Sequence, residues 1–133
     1  MNCACTRSSE ATAGLANQLI FPRGTINYYS RVQQAMGGRE NTTKFARLFF
    51  APGVAHCAGG PGPQPDNPLN QLVHWVKHSK APRSLNAVIR DPRTGAVTQT
   101  RPICMYPNVA VYNGHGPTTQ ASSFACRRSK AKV

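Results

Sequence analysis

Apolar and polar positions along this chain fall into blocks whose period changes several times. The first sixteen residues are small and polar, with neither a helical nor a strand period. Leu19, Ile20 and Phe21 then form a short apolar run that stops at Pro22. Thr25 is placed to cap a helix carrying Ile26, Tyr29, Val32 and Met36 on one face, and Gly37 and Gly38 end it. Residues 45–50 read FARLFF and predict a buried strand. A glycine- and proline-rich loop follows, with His56 and Cys57 in it. Asp66 or Asn67 can cap the next helix, Pro68 suits its first turn, and Leu69, Leu72, Val73 and Val76 are expected on its inner face.

Beyond Ala81 and Pro82 the pattern becomes one of strands. Residues 86–90 and 96–101 flank Asp91-Pro92-Arg93-Thr94-Gly95, a turn sequence suited to a hairpin. From Pro102 onward no clear period is visible, and there are no internal repeats. Strand, helix, strand, loop and helix in that order predict an α/β fold built on a parallel sheet. In such sheets the chemistry sits on loops after the carboxyl ends of strands, and His56 lies six residues past Phe50 on such a loop.

Composition changes this picture in three ways. The 133 residues suit one domain, and eleven glycines with eleven prolines indicate long loops. Sixteen Lys and Arg against four acids give a formal charge of +12, which raises anionic partners as a hypothesis. The cations are spread along the chain, however, and only Arg127, Arg128, Lys130 and Lys132 cluster, without the interleaved aromatics of a stacking platform. Nucleic-acid binding is therefore not expected. No run of eighteen apolar residues is present, so no membrane span is expected, and MNCACTRSSE lacks the apolar core of an export signal.

Five cysteines, Cys3, Cys5, Cys57, Cys104 and Cys126, form an odd set that leaves at least one thiol unpaired within the chain in an oxidising compartment. The Cys-x-Cys at residues 3–5 has no second ligand pair at zinc spacing. His74 and His78 stand at i and i+4 on a helix beside Lys77, without a nearby carboxylate, and are read as a solvated face. Gly59, Gly60 and Gly62 lack the Lys-Ser/Thr of a phosphate loop. Tyr28, Tyr29 and Trp75 fall at helical spacing and are read as core. Neither a metal nor another cofactor is expected.

Several segments carry a resemblance. LIFPRGTINYYSRVQQAMGG, FARLFFAPGVAHCAGGPGP, LNQLVHWVKHSKAP, RPICMYPNVAVYNGHG and the final SSFAC resemble the C-terminal part of the tannase/feruloyl esterase family, over residues 14–127. Residues 1–13 are unmatched, and residues 128–133 form a basic tail. The resemblance implies the C-terminal part of an α/β-hydrolase sheet with two helices, a hairpin and a tail stapled by a Cys104–Cys126 disulfide. A disulfide closing a loop of that length is worth about 3 kcal/mol in the chain-entropy model. It also implies a secreted carboxylic ester hydrolase that acts on esters of aromatic acids through a serine, an aspartate and a histidine.

Carried over by residue, His56 takes the position of the triad base and Cys57 that of the half-cystine beside it. The cysteine that pairs with it in the family adjoins the nucleophile, in a Gly-Cys-Ser-x-Gly elbow, and no Gly-x-Ser-x-Gly occurs in these 133 residues. The family's acid lies in a Gly-x-Ala-Asp-x-Leu-Ile segment. Here the text is Gly14-Leu15-Ala16-Asn17-Gln18-Leu19-Ile20, which puts Asn17 at the acid position. In chymotrypsin-type proteases the same Asp-to-Asn change lowers turnover about 10⁴-fold. The strand that should precede this segment is not visible in residues 1–13.

Three functional readings follow: the nucleophile-free part of a longer ester hydrolase, a degenerate non-catalytic remnant, and a basic binding module on a reused scaffold. All share a physical consequence. A few strands without the rest of their sheet leave an edge and an apolar face uncovered, so the isolated chain is expected to be poorly soluble or partly ordered.

Overall fold

The computed structural model describes residues 9–56 and 58–128. Strand β1, Ser9–Gly14, leads through helix α1, Pro22–Ala35, and the short helix α2, Arg39–Thr42, into strand β2, Ala46–Ala51. The two-residue β3, Gln64–Pro65, precedes helix α3, Pro68–His78. Strands β4, Ser84–Arg90, and β5, Val97–Cys104, form the expected hairpin, and β6, Asn108–Tyr112, pairs with β7, Phe124–Arg128.

β1 and β2 run parallel, in register from Ser9 against Ala46 to Gly14 against Ala51. The expectation that residues 1–13 hold no strand is thus corrected over residues 9–13. The segment SEATAG has no apolar alternation to mark it, and the backbone of β2 supplies the pairing instead. β3, β4 and β5 form an antiparallel sheet, so parallel pairing is confined to β1 and β2 among the described residues. Tyr106 N–H donates to Leu48 O at 2.8 Å, and Phe49 bridges to Met105, which joins β2 to the chain just past β5. Phe49, Ala51, Val54, Leu85, Ala87 and Ile103 close one core across that junction.

Several local expectations shift. α1 starts at Pro22 rather than after Thr25, because proline suits the first helical position, where its missing N–H is not needed. Asn67 holds the N-cap position of α3, but in a left-handed backbone conformation and without a side-chain cap bond. On α3 the inward residue is Trp75, whereas Leu69 and Val76 are 69% and 56% exposed. The partner of Trp75 comes from β2. Trp75 lies 5.4 Å from the Arg47 guanidinium, which is itself held by the carbonyls of Thr43, Ala81 and Pro82. Burial pushes the Arg47 guanidinium below its usual pKa, with Arg83 adding to the effect. Tyr29 and Trp75 are core as expected, and Tyr28 is exposed.

The C-terminal region is more regular than its sequence suggests. β5 continues through Pro102, which an outer strand tolerates because no ladder partner needs its N–H. Cys104 at the end of β5 and Cys126 in β7 form a disulfide with Cα atoms 5.6 Å apart, which staples the β6–β7 hairpin to the main sheet. Arg101 lies over the Phe124 ring at 3.9 Å and donates to Thr118 O, a second tie between the same parts.

Candidate active site

The site is built where the chain leaves the two parallel strands. Residues 15–17 follow β1, and a loop of twelve residues separates β2 from β3. Both segments leave the carboxyl end of their strand, where open α/β sheets place their ligand crevice. Leu15 N–H donates to Ala51 O at 3.1 Å and Ala16 N–H to Val54 O at 3.2 Å, so the two loops run against each other as a continuation of the strand pair. Gly14 makes this approach possible, because a Cβ there would run into the carbonyl oxygen of Val54.

The contact brings Asn17 and His56 together. His56 Nδ1 lies 3.2 Å from Asn17 Oδ1, and both side chains are half-buried. The same amide oxygen accepts the N–H groups of Leu19 and Ile20, each at 2.9 Å. These two donors fix the Asn17 side chain across the short turn that leads toward α1.

The His56 loop has its own support, which sequence reasoning missed. Gln64 in β3 folds its amide back onto the loop. Its Oε1 accepts Gly59 N–H at 3.1 Å, and its Nε2 donates to Gly59 O at 3.1 Å and Gly62 O at 2.9 Å. Gly60, at a φ of +85°, sits so close to Gly53 that a Cβ would strike the Gly53 carbonyl. A glutamine after Gly-Pro-Gly-Pro has no signature that would have marked it as a clamp; only the folded loop places it.

Cys57 lies outside the described residues, as do Cys3 and Cys5. His74 and His78 lie side by side on α3 with ring centroids 4.5 Å apart, on a different element from Asn17 and His56. Among the described residues no three His, Cys, Asp or Glu side chains gather as a metal would need, and no helix is long and apolar enough to cross a membrane.

A histidine and an amide thus meet at the carboxyl ends of two parallel strands. Residues 12–127 match the family model for tannase and feruloyl esterase, and the chain belongs to that family. It is 40% identical over 117 residues to a probable feruloyl esterase of Arthroderma benhamiae, covering 86% of this chain and 22% of that protein. It is 39% identical over 114 residues to the mono(2-hydroxyethyl) terephthalate hydrolase of Piscinibacter sakaiensis, covering 85% of this chain and 18% of that protein. The crystal structure of an esterase from Aspergillus oryzae superimposes with a TM-score of 0.83 at 31% identity, over 90% of this chain and 27% of that one. The chain thus spans about a fifth of the length of these curated relatives and about a quarter of the solved structure. Its mixed helices and sheets, with the Cys104–Cys126 staple, form part of an α/β-hydrolase-type esterase fold.

Proposed function

We propose that this chain is the histidine-bearing part of a serine carboxylic ester hydrolase and that His56 is its general base. The observation that carries the reading is the 3.2 Å contact between His56 Nδ1 and Asn17, at the carboxyl ends of β1 and β2. A base held at Nδ1 has Nε2 left to work with. In the reaction so proposed, His56 Nε2 takes the proton of a serine hydroxyl as its oxygen attacks the ester carbonyl. The proton then passes to the leaving alcohol, and a water repeats the sequence on the acyl-enzyme. Asn17 stands where the family resemblance implies an aspartate. It can orient the imidazole but carries no charge to stabilise the imidazolium.

These 133 residues contain no Gly-x-Ser-x-Gly elbow, so the nucleophile in this proposal comes from other polypeptide, and the chain by itself does not turn over. Esters of aromatic acids are the proposed substrates, since feruloyl and terephthalate esters are what the names of the relatives denote. The Cys104–Cys126 disulfide supports an oxidising, exported location. Residues 14–127 make up the hydrolase part in this reading, with β1 extending it back to Ser9.

The test assays methyl ferulate hydrolysis by the purified chain and by a chimera in which residues 9–128 replace the matching segment of the Arthroderma benhamiae relative. The expected result is no hydrolysis by the chain alone, and hydrolysis by the chimera that His56→Ala abolishes. Chimera activity that survives His56→Ala would overturn the assignment. A chimera that stays inactive even with Asn17→Asp would favour a non-catalytic remnant.

A further inference from the structure

We propose that Asn17 is a neutral positioning residue that holds His56 in the tautomer with the proton on Nδ1, leaving Nε2 free to accept one. This rests on the reading of His56 as a base, and goes beyond it by assigning Asn17 a retained role rather than a lost one.

A carboxamide presents an oxygen that only accepts and a nitrogen that only donates. Its two ends can exchange by rotation, so an asparagine beside a histidine can in principle impose either tautomer. When the nitrogen faces Nδ1, that ring atom must be the acceptor, the proton moves to Nε2, and the base is blocked. That outcome is why the Asp-to-Asn change in chymotrypsin-type proteases is so costly while leaving the geometry intact.

Here two backbone donors oppose the rotation. The atom facing His56 Nδ1 also faces the backbone N–H groups of Leu19 and Ile20 at 2.9 Å each. Backbone N–H groups can only donate. Turning the amide over would set an NH₂ against both of them and break both hydrogen bonds, which water at this exposed turn replaces only in part. The oxygen therefore stays, and a 3.2 Å contact between it and Nδ1 is a hydrogen bond only if Nδ1 carries the proton. The neutral ring then has its lone pair on Nε2. Asn17 thus keeps the orienting half of the acid's work and gives up the electrostatic half.

The test is spectroscopic and needs no nucleophile. The 133-residue chain, carrying Leu69→Ser and Val76→Ser to limit self-association and labelled with ¹⁵N-histidine, is recorded at about pH 8.5, well above the ordinary histidine range, and ring tautomers are read from long-range ¹H–¹⁵N correlations. His56→Ala assigns the signal, and the remaining histidines serve as internal references. The expected spectrum shows His56 protonated at Nδ1, against the Nε2–H form that imidazoles favour in water. Asn17→Asp, which keeps an acceptor in place, should leave that pattern. Asn17→Ala should shift the ring to the Nε2–H form while the backbone signals of the β4–β5 hairpin stay unmoved. An Nε2–H ring with Asn17 in place, or an unchanged ring in Asn17→Ala, overturns the inference. Failure of the base assignment reads out separately, as chimera activity that survives His56→Ala while the tautomer is held as described.

Discussion

Asn17 and His56, far apart in the chain, meet at 3.2 Å because Gly14 lets the loop after β1 lie against the loop after β2. The approach is a matter of backbone on backbone. Gly14→Ala forces a methyl into the Val54 carbonyl and should cost about 1–3 kcal/mol, as overpacking at a closed contact does. It should also separate the two side chains. Loss of nuclear Overhauser contacts between the His56 ring and the residue 17 side chain checks this. A variant as stable as the parent, with those contacts intact, contradicts it.

Gln64 should act on the same site from the other side. Its three side-chain bonds to Gly59 and Gly62 are lost in Gln64→Ala, and each neutral hydrogen bond is worth about 0.5–1.5 kcal/mol. The expected result is faster amide hydrogen exchange at Gly59, with exchange in β4 and β5 unchanged. Uniformly faster exchange across the chain would instead mean that Gln64 supports the whole fold.

The Cys104–Cys126 disulfide should be a large single contributor to stability. Replacing both cysteines by serine is expected to cost about 3 kcal/mol, by the loop-closure argument for a separation of 22 residues. Denaturant titration of the two forms under oxidising conditions measures it. The loss should centre on the β6–β7 hairpin, which this bond and the Arg101–Phe124 contact tie to β5.

Asp91 gives the β4–β5 turn a pH dependence of known sign. Its carboxylate accepts the N–H groups of Thr94 and Arg93, which hold its pKa below the ordinary carboxylate value. A depressed folded-state pKa means that this stabilisation is fully present above the ordinary carboxylate range and fades as pH falls through the lowered value. Thermal melts of the parent and Asp91→Ala should therefore differ at neutral pH and converge under strongly acidic conditions. A difference that persists unchanged in acid would show that the effect is not electrostatic.

Exposed apolar side chains at two places should make the isolated chain self-associate. Leu19 and Phe21 before α1 are 72% and 75% exposed, and Leu69, Val73 and Val76 share one outward face of α3. Sedimentation velocity over a range of concentrations should show growth beyond the monomer, reduced by Leu69→Ser with Val76→Ser. A monomer at all concentrations with a sharp cooperative melt contradicts the expectation.

Local rules made part of this protein legible from its residues. Proline and glycine punctuation with apolar periodicity marked α1, β2 and α3, and the Asp91–Gly95 turn marked the β4–β5 hairpin, because these signals act within a few residues of one another. The motif around His56 and the family it resembles were also readable, and the family is confirmed over residues 12–127.

What tertiary structure alone decided is each feature whose cause lies far along the chain. β1 exists because β2 offers its backbone to a segment with no pattern of its own. α3 turns Trp75 inward beside the anchored Arg47 of β2, which the apolar spacing of Leu69, Val73 and Val76 could not foretell. In the sequence, Asn17 is marked only by the family resemblance, at the position where that resemblance implies an acid. Which end of its amide faces His56 depends on two backbone donors and a loop brought up against it, and such orientation is set by the packed surroundings rather than by the residue.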